Sequence, residues 1–348
     1  MNRKIIVGVS GGIDSALAAL RLREDGWDVI AVHLVMRDSQ SGEDVARLDE
    51  LNDHFGIPVI SVDCRERFER CVIEPFVAAY KRGETPNPCV NCNETLKFRV
   101  LFEQAERFGA AHVATGHYTR LASYRGKVAL ARSHSRKDQT YMLHRLPQSW
   151  LERLVLPLED IMDKRDVRKE LAAFSFSGAC AAAESQDICF LAGESLEEFL
   201  KRCIPEHKRL LGRMKDESGR DLGPHKGLIF YTEGQRKGLG LSCGPWFVES
   251  RNLSSGELRL RRGREPRCLR ISFDRAVWQH DAADARDLRV QYCYRFPPVR
   301  AAALTRGAHE DTGAVELATP AVGVSLGQSL VLYDGDILLG GGVIIGAE

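Results

Sequence analysis

Apolar residues in the first third of the chain follow two alternating patterns. Short blocks rich in Val and Ile predict strands at Lys4–Ser10, Val29–Leu34, Pro58–Val62 and Ala111–Thr115. Between them, apolar positions recur at helical spacing over Ser15–Asp25, Glu43–Phe55, Arg67–Tyr80 and Glu94–Phe108, and Gly26 stops the first of these runs. Pro86 and Pro88 punctuate Gly83–Asn93, which reads as a loop. Strands separated by helices of this length build βαβ units, so an α/β domain is expected, with a parallel sheet and helices on both faces.

Further along, the pattern changes twice. Ser149–Leu171 and Ser195–Arg209 carry helical spacing, joined by small residues over Ser175–Ala183. Beyond Leu210 come short apolar runs broken by glycine, at Gly227–Tyr231, Trp246–Val248 and Glu257–Leu260. Gln328–Gly346 reads as two strands around an Asp334-Gly335 turn, a hairpin signal. These shifts predict an α/β domain over 1–205 with a helical part from about 145, a small β module over 206–262, and a C-terminal β-barrel-like domain over 263–348.

Composition narrows the class. The 348 residues are 44% hydrophobic and 28% charged, as in an ordinary soluble protein. No apolar run approaches the roughly 20 residues that span a bilayer, and Met-Asn-Arg-Lys leads straight into a strand rather than a secretory signal. No membrane association and a cytoplasmic location are therefore expected. The net charge of +1 gives no global attraction for nucleic acid, so such binding must rest on local patches. Ten cysteines in a chain this long are too few for a disulfide scaffold and suit a reducing compartment, with a minority engaged in chemistry.

Three segments carry that chemistry. Val7 to Ser15, V-G-V-S-G-G-I-D-S, ends a predicted strand and opens a helix. Backbone N–H groups of such a glycine turn bind phosphate oxygens, Ser10 and Ser15 add hydroxyls, and Asp14 can help bind a metal ion. The stretch lacks the lysine of a P-loop and the third glycine of a dinucleotide fingerprint. Thr85 to Phe98, T-P-N-P-C-V-N-C-N-E-T-L-K-F, holds Cys89 and Cys92 as a C-x-x-C pair before a helix, whose N-terminus should raise the thiolate fraction. That pair alone fits a redox couple, a zinc half-site or an iron–sulfur half-site. Glu184 to Phe190, E-S-Q-D-I-C-F, places Cys189 after the small-residue segment.

S-G-G-I-D-S resembles the pyrophosphate loop (PP-loop) of enzymes that split ATP into AMP and pyrophosphate. In order follow T-P-N-P-C-V-N-C-N, T-G-H-Y-T-R (Thr115–Arg120), K-D-Q-T-Y-M-L (Lys137–Leu143), S-Q-D-I-C-F, Y-T-E-G-Q-R-K-G-L-G (Tyr231–Gly240) and Y-D-G-D-I-L-L-G-G-G (Tyr333–Gly342). From about residue 4 to 345 the chain resembles the bacterial tRNA-specific 2-thiouridylases. The resemblance implies ATP with Mg2+, a tRNA substrate, and a sulfur-donor protein, either a cysteine desulfurase or a relay protein. It implies that ATP is held by Ser10, Gly11, Gly12, Asp14, Ser15, Gly116 and His117, and adenylates O2 of the wobble uridine. Cys189 then corresponds to the persulfide carrier and Cys92 to its partner, closing a Cys92–Cys189 disulfide on turnover. For tRNA it points to Lys137, Asp138, Gln139, Gln235, Arg236 and Lys237. The best local basic patch, Arg259, Arg261, Arg262, Arg264, Arg267 and Arg270, adds Arg261 and Arg262. Lys164, Arg165, Arg168 and Lys169 form a second patch, and Lys201, Arg202, Lys208 and Arg209 a third.

The sequence departs from that family at three places. Cys89 stands where some members carry an aspartate drawn as an acid/base, so Cys89, Cys92 and Cys189 could instead hold a 4Fe-4S cluster. Met36–Glu43 is shorter than in many thiouridylases, and Leu241–Trp246 is one residue shorter than usual. Cys64, Cys71, Cys180, Cys203, Cys243, Cys268 and Cys293 match no motif and read as core or surface thiols, and His33, His54, His112 and His134 as structural or surface residues. A PP-loop amidating ligase leaves both T-P-N-P-C-V-N-C and Cys189 without a purpose. A non-catalytic iron–sulfur or RNA-binding protein would not need S-G-G-I-D-S intact. A tRNA thiolase acting at another position is a further alternative.

Overall fold

A computed structural model describes residues 3–38, 42–177, 188–191, 193–206, 209–294 and 296–348. Two compact units emerge. The first gathers residues 1–72, 89–190 and 336–338, and the second gathers residues 73–88, 191–335 and 339–348.

The first unit is a parallel α/β sheet. Its strands are β1 (Lys4–Val9), β2 (Asp28–Val35), β3 (Val59–Asp63), β4 (His112–Thr115) and β7 (Leu154–Val155), in the order β3-β2-β1-β4-β7. All four pairings are parallel, and β1 is central, with Ile6 opposite Ile30 on one side and Val113 on the other. Alternation along β1 sorts its side chains between two layers. Ile5, Val7 and Val9 join one core with α1 (Ile13–Glu24), Leu48 and Leu51 of α2 (Gly42–Asp53), and Val167 and Leu171 of α8 (Lys164–Ala173). Gly8 faces the other way, toward Leu101 of α6 (Phe98–Phe108). Helices therefore cover both faces of the sheet. A two-stranded hairpin, β5 (Arg120–Tyr124) and β6 (Lys127–Ala131), completes this unit and was not evident from the sequence.

Three sequence expectations are revised here. The expected helix over 67–80 is broken into α3 (Arg65–Phe68), a π-helical turn (Glu69–Ile73) and α4 (Glu74–Lys81), the last belonging to the second unit. The expected helix over 149–171 is a short α7 (Gln148–Leu151), strand β7 and then α8, because Pro157 in L-V-L-P cannot continue a helix. The C-x-x-C sits on a helical turn, α5 (Pro88–Cys92), rather than in a loop, with proline at the first helical position where its missing N–H costs nothing. Most of the small-residue stretch 175–183 lies outside the described residues.

The second unit is mostly β. Strands β8 (Gly212–Lys215), β9 (Asp221–His225), β10 (Trp246–Asn252) and β11 (Glu257–Arg262) form a sheet in the order β10-β11-β8-β9, around Met214, Leu228, Val248, Leu258 and Leu260. The apolar run 227–231 is a 3-10 turn, not a strand. Six further strands, β12 (Arg267–Trp278), β13 (Leu288–Gln291), β14 (Val299–Arg306), β15 (Gly313–Val322), β16 (Ser329–Asp334) and β17 (Ile337–Ala347), pair antiparallel in the order β12-β15-β14-β13-β16-β17. Pairing of β12 with β17 closes them into a barrel. Helix α9 (Leu196–Cys203) is capped by a reciprocal Ser195–Glu198 box and stops before Pro205, short of the expected Arg209. Among the described residues, no helix is long and apolar enough to cross a membrane.

Candidate active site

The glycine turn after β1 is held by its own serines. Ser15 Oγ donates to Gly12 O (2.9 Å) and accepts from the Ser10 N–H (3.1 Å), while Gly12 N donates to Ser10 Oγ (3.3 Å). Gly11 sits at φ +81°, a conformation side chains rarely adopt, and a Cβ there would lie 2.6 Å from Asp44 Cβ. From α2, Arg47 donates to Gly11 O (2.5 Å) and pairs with Asp44 (2.7 Å), tying the turn down from outside. Gly12 is the N-cap of α1, so the first N–H groups of that helix open toward the turn. Asp14, in the first turn of α1, accepts from Tyr118 Oη (2.5 Å) and from Lys164 Nζ (2.7 Å).

Facing this turn is the C-terminal end of β4, the edge where parallel sheets receive ligands. Gly116 passes so close to α1 that an added Cβ would lie 2.9 Å from Asp14 O and Ser15 N. The His117 ring stacks on Phe98 (5.7 Å between centroids) and is bonded through Nδ1 to Thr115 Oγ1 (2.8 Å). Burial, aided by the Lys97 charge, pushes its pKa down to about 3, so the ring is neutral. Between turn and edge lies a cavity of about 300 Å³, lined by Ser10, Asp14 and Ser15, by Leu34 and Met36, by Asp44, Lys97 and Gln139, and by Thr115, Gly116 and His117. Of the predicted nucleotide residues, Ser10, Asp14, Ser15, Gly116 and His117 line it directly.

The thiols belong to the same unit. Cys92 is buried, Cys89 keeps an open surface, and Cys189 is exposed on a 3-10 turn, Cys189–Leu191. That turn is anchored by Phe190, which packs edge-on against Phe68 at 6.1 Å. Glu184 to Asp187 lie outside the described residues. The Cys189 charge acts on both Cys89 and Cys92, so the three sulfurs lie within electrostatic reach of one another. All three are free thiols. The expected gain in thiolate at the helix start is reversed. Burial dominates and pushes Cys92 up to about 11, with Lys97 opposing it, and the dense packing around Cys89 raises that thiol as well. Cys64, at the start of α3, also acts on Cys92.

The predicted RNA contacts divide. Asp138 is committed to its own loop, accepting from Ser133 N (2.8 Å) and Thr140 Oγ1 (2.7 Å). Gln139 accepts from Tyr118 N (2.9 Å) and lines the cavity, and Lys137 is half-buried beside it. Gln235 likewise braces its turn, bonding Thr232 N and Lys237 O, and leaves Arg236 and Lys237 exposed. In the arginine patch, Arg259, Arg261 and Arg270 are paired with Glu257, Glu249 and Glu316, whereas Arg262 lies over the Trp246 ring and Arg264 and Arg267 are exposed. Lys164, expected in a basic surface patch, instead holds Asp14.

Sequence reasoning missed five participants. Lys97 stood inside a quoted motif without a role, and Tyr118 followed His117 in T-G-H-Y. Arg47 and Asp44 carried no signal, because an i,i+3 ion pair is ordinary on any helix. His33, read as structural, both bonds Val9 O (3.0 Å) and lines the cavity.

Residues 3–193 match the domain family described as tRNA methyl transferase HUP domain, 197–260 the tRNA methyl transferase PRC-barrel domain, and 269–344 the aminomethyltransferase beta-barrel domain. The tRNA-specific 2-thiouridylase MnmA of Clostridium acetobutylicum is 33% identical, over 99% of this chain and 100% of its own length. That of Sorangium cellulosum is 37% identical, over 98% of this chain and 92% of its own. A 4-thiouridine synthetase solved with RNA and ATP aligns at a TM-score of 0.37 and 17% identity, over 58% of this chain and 50% of that one, a likeness too distant to carry function.

Proposed function

The chain belongs to the tRNA-specific 2-thiouridylase family, and on that premise we propose that it replaces O2 of the wobble uridine of tRNA with sulfur, in a reaction driven by ATP. The observation that carries this reading is the placement, in one unit, of a phosphate-shaped turn, an adjoining cavity and three thiols in mutual electrostatic reach.

In the proposed cycle, the apolar side chains of Leu34 and Met36 receive the adenine, and the turn from Ser10 to Ser15 grips the pyrophosphate end. Asp14 and Asp44 offer hard carboxylate oxygens of the kind Mg2+ prefers, and the ion would neutralise phosphate charge. Uridine O2 attacks the α-phosphorus and pyrophosphate leaves, so a poor oxygen leaving group becomes AMP. The outer sulfur of a Cys189 persulfide then attacks C2. Cys92 thiolate attacks the inner Cys189 sulfur and breaks the S–S bond, whose electron pair passes to the sulfur on C2 and expels AMP. The transferred sulfur stays on C2, and the two cysteines are left as a disulfide, which two electrons from a cellular thiol reopen. Cys189 is exposed, as loading by a desulfurase or relay protein requires. Positioning of tRNA phosphates falls to the exposed Arg236, Lys237, Arg262, Arg264 and Arg267, with the half-buried Lys137.

Nearness of the three thiols raises the 4Fe-4S reading as a second possibility. Among the described residues, no three His, Cys, Asp or Glu side chains are gathered as ligands to one metal ion. No step is therefore routed through a cluster. The test is mass spectrometry of tRNA nucleosides after incubation with iron-free protein, ATP and a persulfide donor. An ATP-dependent exchange of one oxygen for sulfur at the wobble uridine is expected. Activity confined to iron-loaded protein would reject the persulfide route, and exchange at a different base would reject the assigned position.

A further inference from the structure

The C-terminal barrel closes, yet one of its seams is only partly zipped. β14 runs Val299–Arg306, whereas its neighbour β13 is only Leu288–Gln291, and the two pair at Arg289–Arg300 and Val290–Val299. From Ala301 to Arg306, β14 pairs with β15 on one side and, among the described residues, with no strand on the other. The cause lies in the chain before β13. Arg286 N and Asp287 N donate to Asp334 Oδ1 (3.0 and 2.8 Å), and Gly335 N donates to Asp287 O (2.9 Å), which commits that stretch to the end of β16. Alternate residues of a strand turn their N–H and C=O toward opposite neighbours, so this edge presents unpaired donors and acceptors along about 20 Å.

Beside the open edge lies a cavity of about 560 Å³. Ala301, Ala302 and Ala303 give its β14 wall no bulk, and its charged lining consists of Arg286, Arg300 and Arg306, with no carboxylate among the described residues that line it. Arg306 is held in place, over the Trp278 ring (4.9 Å) and paired with Asp281 (2.5 Å). Arg300 is exposed, and Asp287 stands 3.7 Å from it, beyond hydrogen-bonding distance. Arg286 is exposed, and among the described residues its side chain has no ion pair. Proteins normally shield a free strand edge, because it is a template for another strand. Here the edge is left open and rimmed by one sign of charge.

We propose that the open seam between β13 and β14 is a docking site for an extended acidic segment of a partner protein, which adds to the β14 edge as a strand. A peptide backbone supplies both the acceptors and the donors that the edge requires, and side chains no larger than methyl let it approach to strand spacing. Acidic side chains of the added strand meet Arg286 and Arg300, and small or apolar ones lie on the alanines. An RNA strand has phosphates for the arginines but no row of donors for the edge carbonyls. A second copy docked edge to edge would crowd two sets of these arginines together, an arrangement of like charges that costs free energy. The seam lies wholly within the second unit, and docking there is independent of the nucleotide cavity.

The test uses the full chain and a fluorescent peptide of alternating Glu and Val, about ten residues long, read by anisotropy and by hydrogen exchange of the protein. Binding is expected, together with slowed exchange across Ala301–Arg306. The same peptide N-methylated at every residue keeps its charge but loses its donors and should not bind, and neither should a peptide with Lys in place of Glu. Arg286→Glu and Arg300→Glu should each weaken binding about 5-fold or more. Ala302 has no partner in β15, so Ala302→Pro blocks the edge with least harm to the barrel and should abolish binding while thermal melts stay cooperative. Failure of the Glu-Val peptide to bind, binding that leaves exchange of 301–306 unchanged, or binding that survives N-methylation would each overturn the proposal. Protection of these residues by oligouridylate in place of the peptide would make the seam an RNA surface instead. Protection that grows with protein concentration alone would make it a contact between copies. Should Ala302→Pro not fold, the arginine variants and the methylated peptide decide on the same criteria.

Discussion

The phosphate turn, residues 10–15, and the cysteine-bearing turn, residues 88–97, are built on opposite plans. In the first, the side chains have internal partners: serine hydroxyls bond the turn to itself, Arg47 clamps Gly11, and Asp14 is met by Tyr118 and Lys164. In the second, burial raises Cys89 and Cys92 above the ordinary thiol range. A preorganised turn binds without reorganising, which suits the activation step. A thiol held above its ordinary pKa waits for a change in local charge, which suits a step that must come second.

Breaking the sulfur side should cost most. Cys189→Ala and Cys92→Ala should each abolish the oxygen-for-sulfur exchange in a nucleoside assay while ATP binding survives, because neither thiol lines the nucleotide cavity. On the phosphate side, Gly11→Ala forces a side chain into a left-handed conformation against Asp44 and should cost about 1–3 kcal/mol, with weakened ATP binding by calorimetry. Lys164→Met leaves Asp14 with Tyr118 alone. The pair is partly exposed, so the loss should be about 1 kcal/mol in a denaturant titration, with a changed Mg2+ dependence of ATP binding.

Changes of pH sharpen the contrast. Cys92 in the resting enzyme should alkylate with a midpoint near 11 rather than in the ordinary thiol range. His117 and His144 are both pushed down to about 3, so between that value and the ordinary histidine range the unfolded chain binds protons that the native state refuses. Stability should therefore fall as pH drops below about 6.5, by a steeper slope in wild type than in His144→Gln, as read from melts across pH. The smallest effects belong to the surface cations. Arg264→Ala or Arg267→Ala should weaken tRNA binding modestly and reduce its dependence on log salt by roughly 0.7–0.9 each.

The sheet and the phosphate turn were legible in the sequence because their signals are local. Ile5-Ile6-Val7 has the apolar run of a strand buried on both faces, and Gly11 and Gly12 interrupt it where the chain must turn. Proximity of Cys189 to Cys92 is a long-range fact that only the motif resemblance suggested. The β5–β6 hairpin escaped notice because Arg120–Ala131 mixes polar and apolar residues without a clear alternation. A π-turn has no sequence signature, so the π-helical turn Asn93–Lys97, and with it the place of Lys97 on the cavity wall, could not be read from T-L-K-F. Acidity of the thiols went the wrong way because a helix start is a weak influence beside the burial that tertiary packing imposes on Cys92.

The central claim, that sulfur reaches C2 from Cys189 and is released by Cys92, is tested most directly by a single turnover. Iron-free enzyme loaded with one persulfide at Cys189 is mixed with tRNA and ATP without any other sulfur source, then split for nucleoside analysis and non-reducing peptide mapping. The account predicts about one 2-thiouridine per persulfide, appearing together with a Cys92–Cys189 disulfide. Product formed without that disulfide, or no product until iron is restored, would contradict it.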